Sequence, residues 1–214
     1  MTGGADRHPI RVSARGPGVE SAHRADRLPI LEAVRGDGDG WVIADCGAHY
    51  WGRHGAAGLL LRAPHPDGSA TVLLQHRAPW SHQGATWGLP GGARDSHETP
   101  EQAAVREAHE EAGLPAEQLT VRLSVVTAEV GSPGSGPYWS YTTVIADAPA
   151  PLATVPNRES AELRWVPEDA VLDLPLHPGF AASWQRLREV IAAMPLLVAP
   201  PPDELRWHRG PRRR

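Results

Sequence analysis

The sequence contains no lysine; all 21 of its basic residues are arginine. It has one cysteine, Cys46, and a single phenylalanine, Phe180. One cysteine excludes an internal disulfide, which suits a reducing compartment, so a cytoplasmic location is expected. No apolar run approaches the ~20 residues needed to span a bilayer. Residues 1–20 carry scattered Arg and Asp and no continuous apolar stretch, unlike a secretory signal. No membrane partner is therefore expected. Positive charge is not in excess either, since the formal net charge is −4 over 214 residues. That argues against a coat for duplex nucleic acid or an anionic surface.

What is present suits one domain of ordinary size. Hydrophobic residues make up 41% of the chain, enough for a buried core. Residues 1–35 are rich in Gly, Arg, Pro and charge, and read as a flexible N-terminal arm with a short helix near Leu28–Val34. The turn-rich Gly36-Asp37-Gly38-Asp39-Gly40 marks a boundary. The folded domain is expected over 36–196, and 197–214 reads as a C-terminal tail ending in a solvated Arg212-Arg213-Arg214.

Strand signals fall at Trp41–Asp45, Ala57–Arg62, Thr71–Arg77, Val121–Val130, Trp139–Ala146 and Glu162–Val166. Ala57–Arg62 and Thr71–Arg77 flank Pro64-His65-Pro66-Asp67-Gly68 and read as a hairpin. Trp87–Gly92 reads as a glycine-rich turn. Helices fit Pro100–Ala112 and His177–Ala193, the latter with Phe180, Trp184, Leu187 and Ile191 at helical spacing. Strands, helix, strands, helix in that order imply an α/β fold with a mixed sheet between helices.

The first helix carries the chemistry. Thr99 suits its N-cap, Pro100 its first position, and Gln102 completes a Thr-x-x-Gln capping box. Gly113 suits the C-terminal cap. At 100° per residue, Glu107, Glu110 and Glu111 share an arc of about 100°. Val105, Ala108 and Ala112 form an adjacent face for packing. Three crowded carboxylates repel unless a cation sits among them, and a hard divalent ion such as Mg2+ or Mn2+ suits their oxygens. On their own they fit a solvated acidic face better, the usual fate of a charge run.

The wider pattern decides between those readings. Gly92, Glu98, Arg106, Glu107, Ala108, Glu110, Glu111, Gly113 and Leu114 together resemble the Nudix box, Gly-x5-Glu-x7-Arg-Glu-(aliphatic)-x-Glu-Glu-x-Gly-(aliphatic). The resemblance implies the Nudix α/β/α sandwich and a metal-dependent hydrolase that cleaves a phosphoanhydride bond. It implies Glu107, Glu110 and Glu111 as metal ligands, joined by the Gly91 carbonyl, with Gly92 leaving room for close approach. Arg106 and Glu98 are implied as a pair bracing the loop against the helix. A base that takes a proton from water is implied among Glu107 and a downstream loop glutamate. Glu159 is the choice for the latter, with Glu162 and Glu129 as rivals.

In triphosphate-cleaving relatives an arginine near position 77 contacts phosphate, which makes Arg77 a candidate; the alternative is an exposed strand-end arginine. Among Trp80, Trp87, Tyr138 and Trp139, Trp139 is the candidate for stacking on a base, against a packing role. Cys46, His49 and His54 leave a tetrahedral zinc set incomplete. The expected substrate is a small nucleotide, foremost a nucleoside triphosphate, oxidised ones included, acted on by a monomer or homodimer. The rival enzyme reading is cleavage of ADP-ribose or another nucleoside-diphosphate-linked compound. The non-enzyme rival is a nucleotide sensor, against which stands the retention of all three box carboxylates.

Overall fold

The computed structural model describes residues 36–197. The expected arm at 1–35 with its helix near Leu28–Val34, and residues 198–214 of the expected tail, lie outside the described residues. A hairpin opens the described chain, β1 (Trp41–Ile43) paired antiparallel with β2 (His49–Trp51). The sequence pattern gave β1 but not β2. The two are equally short and share one burial pattern, but β2, His49-Tyr50-Trp51, lacks the β-branched residues that mark Trp41-Val42-Ile43.

The main sheet holds seven strands. Its spine is β3 (Ala56–Pro64), parallel to β8 (Trp139–Asp147) and antiparallel to β4 (Ala70–Arg77). On the far side, β7 (Thr120–Val130) pairs antiparallel with β8, and β9 (Ser160–Pro167) pairs antiparallel with β4. The sheet is therefore mixed, as the order of elements implied.

β3 and β4 are joined only at one end, over Arg62–Pro64 and Ala70–Val72. Beyond that point they fork. The segment read as a glycine-rich turn fills the fork as two short strands. β5 (Trp87–Gly88) pairs with Gln75 and His76 of β4, and β6 (Gly91–Ala93) pairs with Ala56–Gly58 of β3. Glycine is needed where β6 crosses. A Cβ on Gly91 would lie 2.4 Å from the Ala57 carbonyl oxygen and 2.5 Å from the Gly58 Cα.

α1 (Pro100–Ala112) covers one sheet face and α2 (Pro178–Ala192) the other. Under α1, Leu59, Leu61, Leu73 and Val144 meet a face of small residues, Ala103, Ala104, Ala108 and Ala112. The buried face is turned slightly from the expected one. Val105 is only half-buried, and Ala103 and Ala104 lie against the sheet instead. Small side chains let the helix axis approach the sheet closely, which brings its glutamates down to the fork. Under α2, Leu60, Val72, Leu74 and Ile145 meet Phe180, Trp184, Leu187 and Ile191. Each such buried side chain contributes roughly 1.5–3 kcal/mol relative to exposure.

The caps of α1 match its sequence signals. The Gln102 amide donates to Thr99 Oγ1 (3.3 Å) and the Thr99 amide to Gln102 Oε1 (2.8 Å). Gly113 adopts the left-handed conformation, φ 68°, at the other end. Among the described residues, no helix is long and apolar enough to cross a membrane.

Candidate active site

The fork of the sheet meets the C-terminal half of α1, and there the box residues assemble. Glu111 is buried, 4% exposed, and its Oε2 accepts the Gly91 amide at 2.7 Å. Glu107 lies one turn earlier, its side chain 15% exposed. Its carboxylate sits against Gly92, where an added Cβ would come within 2.5 Å of Oε1. The Gly91–Gly92 pair thus gives both carboxylates direct access to backbone. Glu110 points outward with its side chain half exposed.

Arg106 organises the surroundings. Its Nε and Nη2 donate to Glu98 Oε1 (2.7 Å) and Oε2 (3.0 Å), a bidentate pair. Nη2 also donates to the Ala93 carbonyl at 2.9 Å, and Nη1 to Glu107 Oε1 at 2.9 Å. A weaker contact reaches Glu110 Oε2 at 3.5 Å. Glu98 in turn accepts the Asp95 amide at 3.0 Å. Burial opposes the Glu98 charge, but Arg106 and the Asp95 amide outweigh it and hold its carboxyl below the usual range. Arg106 is correspondingly locked in its charged form, first by its hydrogen bond to Glu98.

Glu107 and Glu111 shift the opposite way from Glu98. Burial pushes Glu107 up to about 7; Arg106 relieves part of that, and the charges of Glu111 and Glu110 add to it. Burial also pushes Glu111 up to about 7, against relief from the Gly91 amide, the Gln75 side chain and the Arg77 charge. Two buried carboxylates that resist ionisation side by side are the electrostatic complement of a cation. Their all-oxygen chemistry fits a hard divalent ion, which Glu107, Glu111 and the outer Glu110 would hold. In the structure these three do not form one tight ligand set. Among the described residues, the groups whose ligand atoms lie within 4.8 Å of one another are Asp37, Asp95 and His97. There Asp95 Oδ1 accepts the Gly38 amide (2.9 Å) and Asp37 Oδ1 the Ser96 amide (2.8 Å), which pins the N-terminal loop to the box loop.

Arg77 ends β4 and donates from Nε to the His82 carbonyl at 3.1 Å. It is half-buried, and its charge is felt at Glu111, Tyr141 and His177. Glu159 is exposed on the loop before β9, and its charge raises Glu111. That loop is fastened to the end of α1: the Val155 and Asn157 amides donate to the Ala112 (2.9 Å) and Glu111 (3.2 Å) carbonyls. The rivals of Glu159 are engaged elsewhere, Glu162 with Arg164 at 2.7 Å and Glu129 with the Tyr138 hydroxyl at 2.8 Å.

Trp139 is placed as a packed ring, 9% exposed. Tyr50 lies against it at 4.8 Å between centroids, and its indole N–H donates to the Trp51 carbonyl at 2.8 Å.

Three further residues near the site carry no site signal in the sequence pattern read above. Gln75 is fully buried and bonds Ser160 Oγ at 2.9 Å; a polar residue inside the apolar run Thr71–Arg77 was its available signal. Tyr141 closes over Gly58, whose added Cβ would meet its hydroxyl at 2.0 Å, and burial first, then Glu111, raises its pKa. His177 caps α2, its Nδ1 accepting the Gly179 amide at 3.1 Å, and burial and then Arg77 disfavour its charged form. Nothing in local sequence marks either Tyr141 or His177, because each joins the site through strand and helix packing.

The NUDIX domain family profile matches residues 52–187. A Mycobacterium tuberculosis (strain CDC 1551 / Oshkosh) protein described as "Putative 8-oxo-dGTP diphosphatase 3" is 73% identical over 165 residues, covering 77% of this chain and 76% of that protein. The crystal structure of a Nudix hydrolase from M. smegmatis, RenU, shares 78% identity with a TM-score of 0.73, covering 76% of this chain and all of that one. A C. elegans Ap4A hydrolase binary complex, 22% identical with a TM-score of 0.52 over 65% of this chain and 98% of that one, shares the fold.

Proposed function

The chain belongs to the Nudix family of hydrolases, which act on phosphoanhydride bonds, and from that premise we propose that it hydrolyses nucleoside triphosphates, oxidised purine ones included, to the monophosphate and pyrophosphate. The carrying observation is the pair of buried carboxylates, Glu107 and Glu111, set against Gly91–Gly92 beside Arg77. The substrate class is supported by the 73% identity to the M. tuberculosis protein described as an 8-oxo-dGTP diphosphatase. The single cysteine supports a cytoplasmic setting, and 36–196 is the catalytic unit in this reading.

Glu107, Glu110, Glu111 and the Gly91 carbonyl would hold a divalent ion, Mg2+ or Mn2+. When bound, such an ion supplies neutralising charge to a phosphate chain. The protein's own groups supply the rest. Arg77 binds phosphate oxygens beside Glu111. A water oxygen bonds to phosphorus, the bridging P–O bond breaks, and pyrophosphate leaves. Glu159 takes the proton of that water, with Glu107 as the other candidate base. The Glu98–Arg106 pair positions Glu107, and the Gly91 amide positions Glu111. Trp139 serves as a wall, holding Tyr50 and Trp51 in place.

The test is a product screen over triphosphates, sugar nucleotides and dinucleotides, with Mg2+, with Mn2+ and with excess chelator. Monophosphate and pyrophosphate from 8-oxo-dGTP or another triphosphate, lost in chelator, are expected. Full activity in chelator overturns the metal role. Cleavage confined to ADP-ribose-like compounds replaces the substrate class, and nucleotide bound but uncleaved with metal present points to a sensor.

A further inference from the structure

The β1–β2 hairpin carries its two tryptophans at positions 41 and 51, N-terminal to the matched family span of 52–187. One face of this hairpin is closed: Tyr50 lies on Trp139, and the Trp51 carbonyl accepts the Trp139 indole N–H. The other face is open. Trp41 is 50% and Trp51 42% exposed, directly opposite each other across the strand pair. Their rings meet edge to face at 5.1 Å. A cross-strand aromatic pair of this kind stabilises a hairpin. It also fixes both rings in advance, so a ligand stacking on them loses little to side-chain ordering.

The open face leads to the phosphate end of the site. Trp41 reaches His82 on the β4–β5 loop, ring centroids 6.2 Å apart and edge-on. The His82 carbonyl accepts Arg77 Nε, and Arg77 acts on Glu111. The loop carrying His82 is held in a costly shape. Gln83 and Ala85 are non-glycine residues at φ 54° and 60°. Such conformations cost about 1 kcal/mol or more each and persist where the surroundings fix them. Here Thr86 Oγ1 donates to the Gln83 carbonyl (2.6 Å), and the Ala85 and Gly84 amides donate to the Arg77 (3.0 Å) and Ser81 (2.9 Å) carbonyls.

We propose that the Trp41–Trp51 pair, with His82 across from it, is the stacking surface for the base of the nucleotide whose phosphates lie at Arg77 and Glu111. This rests on the nucleotide-hydrolase reading above. The aromatic role expected of Trp139 passes to the hairpin that Trp139 supports. Stacking is tolerant of base identity because every base has a π face. The surface therefore sets affinity for a base and does not tell guanine from 8-oxoguanine.

The test uses the full chain with Mg2+. W41A and W51A are each expected to raise KM about tenfold or more, equally for dGTP and 8-oxo-dGTP. W41F and W51F should recover most of that rise, and kcat should fall far less than KM rises. A second measurement needs no turnover. Indole N–H resonances of the 15N-labelled protein, assigned with W41F and W51F, are followed on titration with dGMP, and those of Trp41 and Trp51 should shift together. Nucleotide binding that leaves both resonances still, or alanine variants with unchanged KM, overturns the proposal. Alanine variants that alter only the molecular mass in solution also overturn it and make the hairpin a contact between copies. If the wild-type protein neither binds nor cleaves any nucleotide, the functional reading itself has failed, and this inference falls with it.

Discussion

The Gly91 amide points at Glu111 Oε2 across 2.7 Å, joining the strand that fills the sheet fork to the last glutamate of the box. One backbone N–H aims the carboxylate but does not offset its burial, so Glu111 remains near 7. Removing its charge should therefore have two opposite effects. E111Q is expected to lower kcat on the order of 10²-fold or more, through loss of a ligand. At pH 8 and without divalent ions it should raise Tm, because a buried charge has been replaced by a neutral amide. Steady-state kinetics and calorimetry check the two halves. A Tm that falls in E111Q would mean the carboxylate is better satisfied than its surroundings indicate.

The adjacent glycines should fail in different ways. In G91A the new Cβ meets backbone, the Ala57 carbonyl and the Gly58 Cα, which cannot yield without separating β6 from β3. Loss of folded protein is expected, seen as poor solubility or a Tm lower by many degrees. In G92A the nearest atom is Glu107 Oε1, the end of a side chain that can swing aside. That variant should fold, with Tm nearly unchanged, but lose activity and the thermal shift on adding Mn2+. Equal behaviour of the two variants would contradict this division.

How far the sequence carried this result can be followed through particular residues. Helix α1 was legible to its end residues because Thr99, Pro100, Gln102 and Gly113 act locally, within one turn of the atoms they cap. Its packing face was misjudged by one position, at Val105, because the choice between Ala103 and Val105 depends on how closely the sheet lets the helix approach. The fork was not legible. It arises because β4 is held along its other edge by β9, through residues some 90 positions apart such as Leu74 and Arg164, while its edge towards β3 parts beyond Val72 to take β5. The type of Trp139 and its place in the chain are visible locally, but its burial depends on Tyr50, on a strand without β-branched residues.

A buried ion pair far from the site should control stability alone. Asp147, 1% exposed, pairs with Arg62 at 2.8 Å, and its other oxygen takes Arg122. Arg62 also donates to the Ile191 (3.2 Å) and Met194 (3.0 Å) carbonyls, closing the end of α2. D147A would strand two guanidinium groups, one of them buried, and removing one partner of such a pair costs about 3–5 kcal/mol. Urea titration should show that loss. KM, measured on the folded fraction at low temperature, should stay within about twofold of wild type.

The metal-free protein should become less stable as pH rises. Glu107 and Glu111 sit near 7 when folded and at the ordinary carboxylate value of 4.5 when unfolded. Between those values the folded chain binds more protons than the unfolded one, so the free energy of unfolding falls with increasing pH across the window and levels off above about 7. A divalent ion needs both carboxylates ionised, so its binding must release protons and strengthen over the same interval. The increase in Tm on adding Mn2+ should therefore be small at pH 5.5 and large at pH 8, where the bare protein has lost most. Calorimetry at both values, with and without the ion, measures the two slopes. In E107Q the fall in stability of the bare protein should be shallower and the gain from Mn2+ smaller. A Mn2+ effect independent of pH would show that these carboxylates do not hold the ion.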